Sequence, residues 1–420
     1  MDASQRHLIG LLLGSEEDWP LALEAIVRRL GPVRTADGRV HEFDTERLTI
    51  EPFRLTDPVR AGLVIDRLAY WYYHPREWLK KAALVDETYL VNNPFTFQSM
   101  EKHSAYCALL RLGLPVPPTV LVPYKEPVDN VRWAYTSAKY NRVFDLGAIA
   151  AELGYPLYLK PFDGGGWRGV ARIENESDLH RSYDESGRML MHLQAAVPHE
   201  YVVRALSIGP ETIVMRYQPD RPPHDRYVVS HDFLSPTARR RVVAMSRLVG
   251  SFFGWELNTS ELLVDGDTVV PIDVADPCPE LGVTALHYYF PWAIKALVRW
   301  SVYCLATGRR QRVEMCTERY YAIADDPTLD EEERLAAYLA LADEQVETDR
   351  YWEWCEAHLP QLDEQVLDWV DSTDFDRVLR ESVGAAFPTA DQSALLDHYH
   401  GLVERWVVDE STRLRKLDVG

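Results

Sequence analysis

The chain has 420 residues, of which 46% are hydrophobic and 26% are charged, and this length suits roughly two to four globular domains. Its net charge of −20 argues against binding to nucleic acid or to anionic membrane surfaces, because both need a concentrated basic face. No apolar run reaches the roughly 20 residues that span a bilayer, and the five scattered cysteines predict reduced thiols in a cytoplasmic protein.

Alternating strand and helix patterns predict a small α/β domain over residues 1–97. An apolar run over 7–13 predicts a first strand, and the amphipathic stretch 17–30 predicts the helix that follows it. Further strands are predicted over 48–53, 62–68 and 88–91, and a helix over 75–83. The alternation is typical of a largely parallel sheet. No GxGxxG follows the first strand, so a dinucleotide site is not expected.

A glycine-rich hairpin is the main feature of a second unit, assigned to residues 98–198. Ser99 is predicted to begin a helix that ends at Gly113, where nearby prolines prevent its continuation. The segment 155–173 predicts a strand, a glycine loop and a returning strand. Helices over 146–153 and 179–186 and a strand over 189–193 complete this unit.

Two more hairpins characterise residues 199–310. Strands over 201–208 and 212–217 flank Gly209-Pro210, and strands over 260–264 and 268–274 flank Asp265-Gly266-Asp267. A clear amphipathic helix is predicted between the hairpins, over 237–253. Beyond Trp292 the pattern is helical, and residues 311–420 are assigned to a helical extension rich in Trp, Tyr, Glu and Asp.

Three groups of residues carry chemistry. The glycines 164–166 have no side chains, so their backbone N–H groups can approach phosphate oxygens, although a plain hairpin turn explains such a loop as well. Lys160 ends a hydrophobic strand, where its ammonium needs an anion or a path to solvent. Glu261 and Asp273 lie on opposite strands of one hairpin, followed by Asp276. They form either an oxygen-rich Mg²⁺ site or an exposed edge pair.

The order of these elements resembles the ATP-grasp superfamily, which includes D-alanine–D-alanine ligase, glutathione synthetase and the ribosomal-protein glutamate ligases. In that family a lysine opens a helix that ends in G-x-P-x-P-x-T, as Lys102 does before Gly113-Leu-Pro-Val-Pro-Pro-Thr119. A second lysine ends a strand before a glycine-rich lid, as Lys160 does. The resemblance covers roughly residues 90–285. It implies an ATP-grasp fold with an N-terminal pre-ATP-grasp α/β domain and a C-terminal helical extension.

The resemblance also implies the roles of individual residues. The nucleotide would be held by Lys102, Lys160, Gly164, Gly165, Gly166, Gln194, Val197 and Glu200. One or two Mg²⁺ ions, or Mn²⁺ in their place, would be bound by Glu261, Asp273 and Asp276. The catalytic arginines would be Arg204, Arg216 and Arg168. The chain departs from the family where Asp273-Val-Ala-Asp276-Pro stands in place of the usual Glu-x-Asn-x-x-P.

The reaction that the resemblance implies is ATP-dependent joining of a carboxylate to an amine through an acyl phosphate, with release of ADP and phosphate. The substrates would be small molecules, amino acids among them, and a homodimer is one option for the assembly. Two alternatives stay open: an ATP-grasp phosphotransferase that acts as a kinase, and a non-catalytic ATP-binding protein. The acidic, aromatic extension over 311–420 is the feature that favours the second alternative.

Overall fold

A computed structural model describes residues 4–96, 101–125, 144–165 and 167–418 of the chain. Within these ranges the chain forms three β-sheets, two of five strands and one of four. Ser99 and Gly166, to which the sequence assigns a helix start and a phosphate-contacting glycine, lie outside the described residues.

The first sheet is largely parallel, as predicted, with the strand order β2-β3-β1-β4-β5. Its elements are β1 (Gln5–Leu12), α1 (Asp18–Leu30), β2 (Val33–Arg34), β3 (Val40–Arg47), β4 (Leu63–Asp66), α2 (Tyr73–Val85) and β5 (Tyr89–Val91). Only the short β2 pairs antiparallel. The strand predicted over 48–53 is wrong, because β3 ends at Arg47. Most residues of β3 are polar and only His41 and Phe43 are buried, so periodicity did not reveal it.

The four-stranded sheet is antiparallel, with the order β6-β9-β7-β8. Its elements are α3 (Lys102–Arg111), β6 (Thr119–Val122), α4 (Leu146–Leu153), β7 (Leu157–Pro161), β8 (Ala171–Ile173), α5 (Glu176–Ser186) and β9 (Met191–Ala195). The predicted glycine-loop hairpin is confirmed, since β7 and β8 pair with Leu157 opposite Ile173. Asp145 caps α4 and Asn175 caps α5 through their side chains, which explains where both helices begin.

The third sheet is antiparallel as well, with the order β12-β11-β10-β13-β14. Its elements are β10 (Tyr201–Ile208), β11 (Glu211–Tyr217), β12 (Tyr227–Val228), α6 (Pro236–Phe253), β13 (Leu257–Asp265) and β14 (Thr268–Asp276). Both predicted hairpins are confirmed. The helix α6 begins at a Ser235 cap and ends at the left-handed Gly254, as its sequence signals require. The register of β13 with β14 shifts on either side of Glu261, which lies opposite Asp273.

The rest of the described chain is helical, as predicted. Its helices are α7 (Val283–Leu286), α8 (Phe290–Thr307), α9 (Thr317–Ala324), α10 (Glu331–Val346), α11 (Thr348–His358), α12 (Leu362–Val370), α13 (Thr373–Ala386) and α14 (Thr389–Asp418). The almost fully buried α8 shares one apolar core with Ile9 of β1 and Leu206 of β10, so it joins the first and third sheets. No helix in these described ranges is long and apolar enough to cross a membrane.

Gly209 in the turn between β10 and β11 is a position where only glycine fits. Its φ is +54°, and a Cβ there would lie 2.5 Å from Cδ2 of the buried Trp300. Gly266, in the turn between β13 and β14, has a similar φ of +56° but open space around it. We expect Gly209→Ala to lower the free energy of unfolding by about 3 kcal/mol, from backbone strain and overpacking together. The control Gly266→Ala should cost about 1 kcal/mol from strain alone.

Denaturant unfolding of both variants measures the difference. Equal losses at the two glycines would show that the Trp300 contact is not what restricts residue 209.

Candidate active site

A cleft of about 1070 Å³ is lined by the four-stranded sheet, the third sheet, the segment that connects them and the turn after β4. The lining contains seven lysines and arginines against six aspartates and glutamates, in a chain whose net charge is −20. The cleft is therefore much less acidic than the chain as a whole, which suits an anionic ligand better than the average surface does.

Thirteen of the fourteen residues predicted for the site line this cleft. They are Lys102, Lys160, Gly164, Gly165, Arg168, Gln194, Val197, Glu200, Arg204, Arg216, Glu261, Asp273 and Asp276. The fourteenth, Gly166, lies outside the described residues. The fold thus brings together segments that are distant in sequence, while the individual roles of these residues stay predictions.

Lys102 connects the first turn of α3 to the glycine loop and to the third sheet. Its Nζ donates to the carbonyl oxygen of Gly164 at 2.5 Å and lies 3.1 Å from Oδ2 of Asp273. Its backbone N–H donates to the carbonyl oxygen of Phe162 at 2.9 Å. Burial alone lowers the pKa of Lys102, but the Asp273 carboxylate outweighs burial and raises it. The ammonium is therefore a fixed positive charge at the base of the loop.

Lys160 is 7% exposed, so the alternative of a lysine that reaches solvent from the strand is wrong. Its Nζ donates to the Tyr106 hydroxyl at 2.6 Å and to the carbonyl oxygen of Ile272 at 3.0 Å. Burial lowers the pKa of Lys160 to about 8, although the Asp273 carboxylate opposes that shift. Both acceptors are neutral, so an anion in the cleft would find an ammonium that is incompletely compensated.

Glu261 and Asp273 face each other across β13 and β14 and line the cleft, so they are not an exposed edge pair. Glu261 is 9% exposed. The Oδ1 atom of Asp273 is buried and accepts no hydrogen bond from any residue in the described ranges. Asp276 follows at the end of β14, where burial raises its pKa to about 6 while Arg204 opposes the shift and Asp273 adds to it.

These carboxylates suit a magnesium ion that arrives with a ligand. Within the described ranges, no three His, Cys, Asp or Glu side chains form a group that could hold a metal on their own. Mg²⁺, however, usually keeps several waters and takes only one or two carboxylates from a protein, the remainder coming from phosphates. Two facing carboxylates with a buried, unpartnered oxygen on Asp273 fit that kind of binding.

The three predicted arginines differ in how firmly they are held. Arg204 is 8% exposed, and its guanidinium donates to Glu261 and to the Tyr227 hydroxyl and stacks 4.0 Å from the centre of the Tyr217 ring. Arg216 is half-buried and lies 5.2 Å from the centre of the Tyr201 ring. Arg168 is exposed in the glycine loop. Arg204 is thus part of a rigid wall, while the other two present their charge at the surface of the cleft.

The segment that joins the two antiparallel sheets also lines the cleft. Gln194 lies opposite Tyr158 in the four-stranded sheet, two residues along from Lys160, and donates from Nε2 to Oγ1 of Thr119 at 2.7 Å. Val197 and Glu200 follow in the cleft lining, and Glu200 is exposed. The start of the connecting segment is therefore close to Lys160.

Two tyrosines of the site were missed by sequence reasoning. Tyr106 lies four residues after Lys102 on the same side of α3, and its hydroxyl contacts both Lys160 and the carbonyl oxygen of Ile272. The four-residue spacing was a usable signal for Tyr106. Tyr70 comes from the turn after β4, and its hydroxyl accepts a hydrogen bond from the Gly164 N–H at 3.1 Å. No local pattern connects Tyr70 with a loop so distant in sequence.

The desolvated charge of Lys160 predicts a pH-dependent stability. Its pKa of about 8 in the folded protein is below the ordinary 10.5, so between these values the unfolded chain binds the proton more tightly. Stability should therefore rise as the pH increases from 8 towards 10.5, by up to about 3 kcal/mol. Lys160→Met should remove this rise and leave the free protein no less stable at pH 7.

Denaturant unfolding at pH 7 and pH 9.5 tests this, with Lys80→Met, outside the cleft, as the control. If Lys160→Met and the wild type show the same pH dependence, the ammonium is not destabilised by burial.

Similarity to known proteins is found among solved structures, at low sequence identity. No protein-family description matches the sequence, and no curated protein is detectably similar to it. Among solved structures, a RimK-domain ATP-grasp protein from Sphaerobacter thermophilus DSM 20745 is 18% identical with a TM-score of 0.43, over 65% of this chain and 92% of that one. The ADP complex of purK, N5-carboxyaminoimidazole ribonucleotide synthetase, is 18% identical with a TM-score of 0.44, over 68% and 73%.

D-alanine–D-alanine ligase from Bacillus anthracis, complexed with ATP, is 10% identical with a TM-score of 0.44, over 81% of this chain and 99% of that one. All three TM-scores are below 0.5, so these matches carry no argument about the superfamily, and the resemblance to the ATP-grasp superfamily stays a prediction. The structure itself confirms the predicted mixed α/β fold with a helical C-terminal stretch. The side chains of the cleft therefore have to carry the functional case.

Proposed function

We propose that this chain is a Mg-ATP-dependent ligase that joins a small carboxylic acid to an amine, and that it acts in the cytoplasm. The observation that carries the proposal is the meeting of two buried lysines, Lys102 and Lys160, with two facing carboxylates, Glu261 and Asp273, beside a glycine loop. Phosphoryl transfer needs positioned charge far more than covalent chemistry from the protein, and this cleft supplies positioned charge of both signs.

The nucleotide in this proposal lies along the length of the cleft. Its base contacts the connecting segment at Gln194 and Val197, and its ribose is held by Glu200. The phosphates reach Lys102 and Lys160 under the loop that contains Gly164 and Gly165, with Gly166 assigned to the same loop by sequence. Support comes from the lining, because the buried ammonium groups, the glycine loop and the connecting segment all belong to one cleft.

Glu261 and Asp273, with Asp276 close behind, are the residues that would hold one or two Mg²⁺ ions, or Mn²⁺ in their place. When bound, such an ion neutralises charge on the phosphate oxygens. The buried and unpartnered Oδ1 of Asp273 supports this assignment. Because Asp273 is paired with Lys102 in the free protein, its other oxygen is the one available to a ligand without breaking that pair.

The reaction would take place in two steps at the loop end of the cleft. A substrate carboxylate oxygen bonds to the γ-phosphorus while the bond from that phosphorus to the bridging oxygen of ADP breaks, which gives an acyl phosphate. The amine nitrogen then bonds to the acyl carbon, phosphate leaves with the carbon–oxygen bond electrons, and the amine loses a proton. Arg204, Arg216 and Arg168 would hold the transferred phosphoryl group, and closure of the loop would exclude water.

Two alternatives keep the same cleft and differ in what happens there. A phosphotransferase would pass the phosphoryl group to a hydroxyl acceptor, and a non-catalytic protein would bind ATP without turnover. The number of charged groups that line one cleft favours an enzyme, since a protein that only binds ATP has less need for three arginines in addition to two lysines.

Lys160→Ala and Asp273→Ala are expected to reduce ATP turnover by at least about 1000-fold, because each removes a charge that stabilises the transferring phosphoryl group. Lys80→Ala, which removes a lysine paired with Glu77 outside the cleft, is the matched control and should keep full turnover. Turnover is measured as ADP formation with a mixture of amino acids and small acids. Undiminished turnover in both cleft variants would remove the site assignment.

The appearance of free phosphate separates a ligase from a kinase. With a suitable acid present, phosphate release from ATP should depend on an added amine, because the acyl phosphate breaks down productively only when the amine attacks. A screen of acids and amines, each pair tested with either partner omitted, measures this dependence. ADP formation with phosphorylated acceptor and no free phosphate would favour the phosphotransferase, and ATP-induced thermal stabilisation without any ADP would favour the binding protein.

A further inference from the structure

We infer that Trp71, assisted by Trp167, forms a subsite for a planar apolar group of the acid or the amine. This inference rests on the proposed function, because it assigns the place of the second ligand in the same cleft. Trp71 follows β4 of the first sheet, whereas Trp167 belongs to the glycine loop, and both line the cleft. Neither residue was selected by sequence analysis.

The position of Trp71 places it at the reacting end of the cleft. Its neighbour Tyr70 accepts a hydrogen bond from the Gly164 N–H, and the Gly164 carbonyl oxygen accepts one from Lys102. Lys102 in turn pairs with Asp273. Trp71 is therefore close to the charges assigned to the phosphates, where a ligand that reacts with the γ-phosphate would bind.

The backbone that carries Trp71 is firmly held although its side chain is exposed. The Asp66 carboxylate at the end of β4 accepts hydrogen bonds from the N–H groups of Leu68 and Ala69 at 2.9 and 3.0 Å. The Trp71 N–H donates to the carbonyl oxygen of Leu68 at 3.0 Å, and its ring meets the Tyr70 ring edge-on at 4.5 Å. A side chain presented by such a rigid turn loses little entropy when a ligand packs on it.

The exposure of the two tryptophans is unusual for their type. Trp71 is 51% exposed and Trp167 is 40% exposed, and Trp352 outside the cleft is 44% exposed, while Trp19, Trp255, Trp300 and Trp369 are almost completely buried. Trp167 also has a φ of +61°, a conformation that a bulky residue adopts at a cost of roughly 1–2 kcal/mol. Large aromatic surface left open beside a charged cleft is typical of a binding anchor.

The ligand class follows from the two kinds of group that meet here, charged side chains and indole rings. The charged groups of the cleft recognise phosphate and carboxylate, while the indole rings offer flat apolar surface and no charge. A small polar substrate such as glycine would leave both rings unused. The ligand class that matches is an aromatic acid or an aromatic amine, an aromatic amino acid included.

Calorimetric titration without ATP tests the subsite separately from turnover. The probes are phenylacetate and phenethylamine, each compared with acetate and ethylamine, which lack the ring. We expect at least one aromatic probe to bind at least about tenfold more tightly than its small counterpart. Trp71→Ala should remove about tenfold of that affinity, Trp71→Phe should retain most of it, and Trp352→Ala, which removes an exposed tryptophan outside the cleft, should leave it unchanged.

The outcomes separate the subsite from the ligase proposal. A preference for phenylacetate places the ring on the acid, and a preference for phenethylamine places it on the amine. If neither aromatic probe binds better than its counterpart, or if Trp71→Ala and Trp352→Ala behave alike, the subsite is refuted even when ATP turnover is intact. Since Trp71 is half exposed, its replacement should leave the unfolding temperature almost unchanged, which checks that a loss of binding is not a loss of fold.

Discussion

The ion pair between Lys102 and Asp273 is the constraint on which the cleft depends. Lys102 begins α3, and Asp273 lies on β14 of the third sheet, so the pair adds a polar link where α3 packs against that sheet. The same ammonium donates to Gly164 and thereby sets where the glycine loop starts. The buried pair contributes more to the position of α3 than to the free energy of folding, because charges removed from water gain little net free energy from each other.

Buried lysine and arginine side chains on α8 are paired more completely than the lysines of the cleft. On α8, Lys295 is held by Asp363 and Glu410 of later helices, and Arg299 is held by Glu211 at the start of β11. There the bonds from Arg413 and Lys295 outweigh burial and lower the pKa of Glu410 to about 2. In the cleft, by contrast, Lys160 has only neutral acceptors and Asp273 has a free buried oxygen. Complete pairing marks a structural network, and incomplete pairing marks a place where a charged ligand is expected.

Local sequence signals predicted the hairpins and capped helices but not which distant segments come together in the cleft. Turn glycines and caps such as Asp265-Gly266 and Ser235 act within a few residues, so their effect could be read directly. That Lys160 and Asp273 meet in one cleft followed only from the family resemblance, because periodicity carries no information about contacts between distant segments. Tyr70 was beyond reach for the same reason: its partner Gly164 belongs to another sheet.

The helical part of the chain contributes to the cleft indirectly, through the first sheet. Arg309, just after α8, donates to the Tyr89 hydroxyl on β5 at 2.8 Å, and Gln311 accepts from the Leu90 N–H at 2.7 Å. Arg309 also pairs with Glu347 at the start of α11. These bonds fix β5 beside β4, and β4 ends in the turn that presents Tyr70 and Trp71 to the cleft. Residues outside the cleft thus determine the position of the turn that carries Tyr70 and Trp71. Weakening these bonds should loosen that turn before it affects Lys102 and Lys160.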